Sequence, residues 1–206
     1  MQITDWIAAL KKELEKPLPG IAAQMQMAPS LMRPAHVSMP MRNSGVLLLL
    51  YPVKERLFTV FIKRTEYGGP HSGQISFPGG KFENGDRSLT DTALRESFEE
   101  IGIPPDAVKV LGNLSPLHIP VSNFRIQPVV GFVDEKPSFI TDPQEVDHLI
   151  ETALDVLLNP EVIKKETLKL GDLFIEVPYY DIDGHHIWGA TAMMLSEFAE
   201  VVGKVQ

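Results

Sequence analysis

The chain has 206 residues, 44 % hydrophobic and 22 % charged, the make-up of an ordinary soluble globular protein with enough length to bury a real core. Its 19 Lys and Arg against 27 Asp and Glu leave a net charge of −8. That excludes the global basic field of a nucleic-acid-polymer binder, so an anionic ligand must be held by a metal or a few placed cations. The lack of any cysteine excludes disulfide scaffolds, thiolate zinc sites and cysteine nucleophiles.

Residues 4–16 predict a short amphipathic helix, with Trp6, Ile7, Leu10 and Leu14 at helical spacing, Thr4 or Asp5 as its cap, and Pro17, Pro19 and Gly20 as its stop. From there to about Asn43 the chain is rich in Met, Pro and Ala and predicts an irregular segment wrapping the core. Residues 1–40 thus read as a helix and arm packed on a domain formed by 41–206, the arm being a candidate element for a homodimer. The run Val46–Tyr51 falls far short of the ~20 residues that a membrane helix needs. The start Met1-Gln-Ile-Thr-Asp-Trp-Ile lacks the basic opening of a secretory signal. The expected address is the cytoplasm, with no membrane partner.

Val46–Tyr51 and Leu57–Lys63 predict two strands joined by a hairpin-like loop. A Gly- and Pro-rich stretch from Gly68 to Gly80 precedes a strongly helical segment, Ser88–Ile101. Further strands are expected at Val108–Leu114, Ile126–Val133 and Leu173–Val177, and helices at Ala153–Leu158 and Ala190–Val202. Strands and helices alternate without regular βαβ units, so an α+β fold with a mixed sheet is expected rather than a Rossmann fold.

The segment around Ser88–Ile101 carries the chemistry. Ser88 and Asp91 have capping-box spacing, and Gly102 is placed to be a left-handed stop. At about 100° per residue, Leu94, Phe98 and Ile101 form an apolar stripe. Glu96, Glu99 and Glu100 then gather on the far face, with Arg95 able to pair with Glu99. Such a cluster is either a solvated acidic face or a site for Mg²⁺ or Mn²⁺, which take hard oxygen ligands. The second reading points to phosphoryl or pyrophosphoryl chemistry, because Mg²⁺ is generally held by a few carboxylates plus substrate phosphates.

The stretch Gly80-x5-Asp86-x8-Arg95-Glu96-Ser97-Phe98-Glu99-Glu100-Ile101-Gly102-Ile103 resembles the Nudix box, G-x5-E-x7-R-E-U-x-E-E-x-G-U with U aliphatic. It departs from that pattern in three places: Asp86 stands for the first Glu, one extra residue precedes Arg95, and Ser97 replaces an aliphatic residue. The resemblance implies a Nudix-type α/β/α sandwich and hydrolysis of a nucleoside diphosphate linked to another moiety, so that 41–206 would be the Nudix hydrolase domain. By position it implies Glu96, Glu99, Glu100 and the Gly80 backbone as metal site, with Arg95 orienting the glutamates.

His71-Ser-Gly73-Gln74-Ile-Ser-Phe77-Pro78-Gly79-Gly80 is similar to the segment before the box in coenzyme A pyrophosphatases. Pro143-Gln-Glu145-Val146 through Leu154, and Ile187-Trp188-Gly189-Ala190-Thr191-Ala192, resemble the same branch. The substrate so implied is coenzyme A, cleaved to 3′,5′-ADP and 4′-phosphopantetheine. Gly69 occupies the position of the second Arg in the branch's CoA-associated pattern, which removes one phosphate partner. ADP-ribose, NADH or another nucleotide are the alternative substrates, and a non-hydrolysing nucleotide sensor is the alternative of another class.

Outside the box, Glu145 is a candidate base or extra ligand, or else an N-cap or loop acid of Asp142-Pro-Gln-Glu145. Arg64, His71, Gly73 and Lys81 are candidate substrate contacts, and Arg42 a further cation. His185-His186 follows a turn-forming Asp183-Gly184, so the two side chains should diverge rather than share a metal, and Trp188 is expected in the core.

Overall fold

The apolar run at Val46–Tyr51 lies at the centre of the molecule, covered on both sides. In the computed structural model, which describes residues 2–31, 40–66, 73–120, 122–170 and 173–205, the elements follow in chain order. They are α1 (Ile3–Leu14), α2 (Ile21–Gln24), β1 (Arg42–Val53), β2 (Arg56–Arg64), β3 (Ile75–Ser76), β4 (Gly79–Lys81), α3 (Leu89–Ile101), β5 (Lys109–Asn113), β6 (Leu117–Ile119) and β7 (Phe124–Phe132). After them come β8 (Val146–Ala153), α4 (Leu154–Leu157), β9 (Ile163–Leu170), β10 (Leu173–Ile182), β11 (His185–Trp188) and α5 (Gly189–Val202).

Alternation along β1 builds two cores. Leu47, Leu49 and Tyr51 pack towards α3 with Val60, Ile62, Ala93 and Ile101. Val46, Leu48 and Leu50 pack on the other side with Leu10, Phe61, Phe77 and Phe198, under α1 and α5. A strand covered on both faces reads as a continuous apolar run instead of an alternating one. The result is an α/β/α sandwich with a mixed sheet: β1 pairs parallel with β7, from Arg42↔Phe124 to Leu50↔Phe132, and antiparallel with β2 and β4.

The strands part near the carboxylates. The β1–β2 pairing runs from Val53↔Arg56 to Leu50↔Thr59. Beyond it β1 passes to β4, at Val46↔Gly79, and β2 passes to β3, at Ile62↔Ser76. On its other edge β2 carries β8. The split between the two pairs lies beside Gly79 and Arg64. A second antiparallel sheet, β11-β10-β9, shares no strand with the first but adds Tyr180, Ile182 and Ile187 to the core under α5; its β10–β11 turn is Asp183-Gly184, both residues left-handed, with φ of 50° and 82°. A two-residue turn of that form matches the twist of the flanking strands.

Several local expectations change. Helix α1 begins two or three positions earlier than a Thr4 or Asp5 cap would set it: Gln2 is the N-cap and makes no side-chain cap bond. The stretch after Pro19 is not wholly irregular, since α2 and a 3₁₀ turn at Met25–Met27 form within it. Trp188 is 38 % exposed, and Ile187 takes the buried place. His186 stacks on Tyr179 at 4.1 Å, and His185 lies 5.3 Å from the His148 ring, so the pair does diverge.

The segment carrying α2 is fastened by a buried carboxylate. Glu197 of α5, with no exposure, accepts from Gly20 N at 3.1 Å, from Gln24 Nε2 at 2.9 Å and from Ser115 N at 3.2 Å. A Gln there would turn an amide donor towards donors. Glu197→Gln is therefore expected to cost about 1–3 kcal/mol, lowering Tm by about 2–4 °C per kcal/mol. Calorimetry checks it, and an unchanged Tm would refute the fastening role.

Candidate active site

Gly45 sets the position of α3. A Cβ at Gly45 would overlap Leu89 O and lie 2.9 Å from Ala93 N, so the helix backbone rests directly on β1. Only small side chains fit that contact, and Ala93 and Ser97 supply them; Ser97 Oγ turns back to donate to Ala93 O at 2.7 Å. Ser97, an apparent defect in the box, thus fits the packing. Ser88 Oγ caps the start by accepting from Asp91 N, and the Asp91 carboxylate accepts from Arg87 N, one residue before the expected capping-box partner.

This close approach overturns the expected division of faces. The buried side of α3 is Thr92, Ala93, Ser97, Glu100 and Ile101, while Phe98 points outward at 51 % exposure. Glu100 has no exposed surface. Its Oε2 accepts from Gly79 N at 2.7 Å and its Oε1 from Arg64 Nη1 at 3.1 Å. Burial pushes its carboxyl up to about 7, against the opposing pull of Arg64 and the Gly79 N–H.

Glu96 lies against the backbone of β4, where a Cβ at Gly80 would fall on its carboxylate. Burial raises its pKa, Arg95 opposes, and the negative charges of Glu99 and Glu145 raise it further. Arg95 joins the cluster together. Its Nε and Nη2 grip Asp86 at 2.9 and 3.1 Å, Nη2 also reaches Glu96 at 3.0 Å and Lys81 O at 2.9 Å, and Nη1 holds Glu99 at 2.9 Å. Asp86 is itself tied by Thr92 Oγ1 and Glu83 N, and Arg95 holds its carboxyl below the usual range.

Glu145 arrives on a loop anchored to the end of α3. Asp142 N donates to Glu100 O and Ile140 N to Ile101 O, which satisfies carbonyls that a helix C-terminus leaves free. The capping role within Asp142-Pro-Gln-Glu145 belongs to Asp142, whose Oδ1 accepts from Gln144 N. The Glu145 side chain, 49 % exposed, faces Arg64 Nη2 at 3.6 Å. Arg64, expected to contact substrate, here bridges Glu100 and Glu145. Lys81 is exposed at the end of β4, and Gly73 has φ of 66° at the start of the segment leading to β3. His71 and Gly69 lie outside the described residues.

Sequence reasoning missed Gly45, the roles of Asp86 and Thr92, and the helix–loop bonds that fix Glu145. The i, i+4 pair of small residues Ala93 and Ser97 was the available signal for a close helix–sheet contact.

Among the described residues no three His, Asp or Glu side chains converge on one point, because Arg64 and Arg95 stand among the glutamates. The donor set nevertheless suits a divalent cation. Four carboxylates, Glu96, Glu99, Glu100 and Glu145, interact beside the bare backbone of Gly79 and Gly80, and two arginines do not balance them.

A sandwich splayed beside a glutamate-bearing helix is the Nudix architecture. The family model described as NUDIX domain matches residues 41–170. The chain belongs to the Nudix family. It is 42 % identical over 134 residues to the uncharacterized Nudix hydrolase NudL of Pectobacterium atrosepticum, covering 64 % of this chain and 66 % of that protein, just under two thirds of its length. It is 36 % identical over 140 residues to NudL of Yersinia enterocolitica, covering 68 % and 71 %. Solved structures share the fold. A Nudix hydrolase of M. smegmatis, RenU, superposes with a TM-score of 0.55 at 12 % identity, covering 86 % of this chain and 97 % of that one. A MutT protein of Methanosarcina mazei Go1 gives 0.53 at 16 %, covering 82 % and 99 %. No helix among the described residues is long and apolar enough to cross a membrane.

The raised Glu100 pKa has a stability consequence. From the ordinary value of 4.5 to about 7 the folded protein holds a proton that the unfolded chain has lost. The contribution is therefore fully present below pH 4.5 and is lost as pH rises through about 7. With metal chelated by EDTA, Tm should fall between pH 5 and pH 8, and Glu100→Gln should flatten that fall. Parallel Tm–pH curves for the two proteins would contradict the assignment.

Proposed function

We propose that the protein is a metal-dependent pyrophosphohydrolase of nucleoside diphosphate-linked compounds, with coenzyme A or its derivatives as substrate. The observation that carries the reading is the buried Glu100, held by Gly79 N–H and Arg64 within a four-carboxylate cluster at the strand split. Three segments that resemble coenzyme A pyrophosphatases are linked around that split, which supports the choice of substrate. Thr191 Oγ1 donates to Ile75 O, joining the start of α5 to the segment before the box, and Thr65 joins that segment to the third by accepting from Gly73 N and donating to Glu145 O.

Mg²⁺ or Mn²⁺, held by Glu96, Glu99, Glu100 and the Gly80 backbone, would neutralise the diphosphate and lower the pKa of attacking water. Arg95, locked onto Asp86, positions Glu96 and Glu99 for that task. Glu145 would take the water proton, a role supported by its half-exposed side chain 3.6 Å from Arg64. The water oxygen joins one phosphorus and the P–O–P bond breaks, the bridging oxygen leaving with the other phosphate. Coenzyme A would then yield 3′,5′-ADP and 4′-phosphopantetheine. Lys81 and Gly73, with His71 on the strength of the resemblance alone, would contact the substrate, and a small nucleotide is the expected partner.

The test is incubation with Mg²⁺ or Mn²⁺ and coenzyme A, ADP-ribose or NADH, with products resolved by mass. Formation of 3′,5′-ADP from coenzyme A is expected, and Glu99→Gln and Glu100→Gln should each lower kcat by at least about 100-fold. Cleavage of ADP-ribose or NADH alone would replace the substrate. Nucleotide-induced stabilisation without product, metal being present, would convert the reading to a sensor.

A further inference from the structure

Arg64 and Arg95 stand in the same acidic cluster, but they are tethered differently. Arg95 is committed to a buried anchor: two of its nitrogens grip Asp86, whose side chain is 5 % exposed, and one also binds Lys81 O. To leave, it would strand a buried carboxylate, which is costly. The guanidinium of Arg64 rests on carboxylates alone among the described residues, Glu100 at 3.1 Å and Glu145 at 3.6 Å, and keeps 24 % of its side chain exposed. Lys63, its chain neighbour, is turned to Asp147 at 3.6 Å. Arg64 is thus the cation of this cluster that can move without orphaning a buried acceptor, provided something else neutralises Glu100.

We propose that Arg64 is an exchangeable cation, resting between Glu100 and Glu145 until a divalent ion takes over Glu100, and then turning its guanidinium onto the substrate diphosphate. The proposal rests on the metal-dependent reading above. A divalent ion held by Glu96, Glu99 and Glu100 would neutralise Glu100 and leave Arg64 without its closer counter-charge. A diphosphate supplies one, in the forked geometry that a guanidinium binds best. Metal and diphosphate should therefore favour each other through Arg64, beyond their direct contact, and each should bind less well alone. A purely structural Arg64 would show no such coupling.

The experiment is a thermodynamic cycle on the full chain. Mn²⁺ affinity is measured by the EPR signal of free Mn²⁺, with and without the non-hydrolysable diphosphate α,β-methylene-ADP, for wild type, Arg64→Gln and Arg64→Lys. Circular dichroism confirms folding. Arg64→Gln is expected to bind Mn²⁺ alone more tightly than wild type, since its competitor is gone. Its enhancement of Mn²⁺ binding by the diphosphate should fall by about 5-fold or more, within the usual range for coupled sites. Arg64→Lys, a cation without the fork, should lie between the two, and it carries the test if Arg64→Gln does not fold. Weaker Mn²⁺ binding by Arg64→Gln alone, or coupling equal to wild type in the folded variants, overturns the exchange. Failure of wild type to bind Mn²⁺ overturns both the exchange and the metal reading, so the two failures are distinguishable.

Discussion

The contact between the backbone of α3 and Gly45 of β1 is the constraint on which the site depends. A helix held off by ordinary side chains would keep Glu100 near solvent, where it could ionise freely. With Gly45 beneath Leu89 and Ala93, the helix sinks until Glu100 is fully enclosed and its carboxylate meets the Gly79 N–H. Gly80 extends the same economy of space one residue along β4, where the carboxylate of Glu96 occupies the volume of a missing Cβ. The sheet contributes as much as the helix, because β4 reaches these positions only where β1 and β2 have parted.

That constraint also explains what could be read in the sequence and what could not. The order of the main elements, the αL stop at Gly102, the capping of α3 by Ser88 and the box itself were legible, because each is a local pattern with a local cause. The face of α3 was not. Hydropathy sends Leu94, Phe98 and Ile101 inward, yet Phe98 is half exposed and the buried side holds Ser97 and Glu100. Here tertiary packing overrides amphipathicity: the strand below is so close that size decides which residues face it. A functional helix is a place where pattern-based inference is expected to fail, since a buried carboxylate breaks the rule that the pattern encodes. The short or late strands β6, β8, β9 and β11 escaped because polar and charged residues interrupt them, as in Ile163-Lys164-Lys165-Glu166.

The departures from the Nudix box are not independent of one another. Asp is one methylene shorter than the Glu of the family pattern, and the chain has one residue more before Arg95. The longer connection carries the Asp86 carboxylate to the guanidinium, where it makes a two-point grip, and Thr92 Oγ1 and Glu83 N fill its remaining acceptor sites. The bond is of the strong, charge-assisted and forked kind. A shorter acid on a longer tether thus achieves a rigid Arg95, and Arg95 in turn fixes the spacing of Glu96 and Glu99.

Arg95, with its several fixed partners, and Arg64, with contacts to two glutamates, divide the electrostatic work between them. A cluster of four glutamates repels itself, so the fold needs cations to assemble it before any ligand arrives. If both cations were locked, a divalent ion would enter a site already neutralised, and the substrate would find no unpaired positive charge. If both were loose, the glutamates would lose their spacing. One anchored arginine keeps the geometry, and one lightly held arginine leaves charge that can be transferred. The asymmetry is written in what each touches, a two-point grip on one aspartate plus a backbone carbonyl in one case and single contacts to two glutamates in the other. The loop that delivers Glu145 belongs to the same arrangement, because its amides are bonded to the last carbonyls of α3. Glu145 O in turn accepts from Thr65 N, next to Arg64, so the loop ties the helix that carries Glu100 to the strand that carries Arg64.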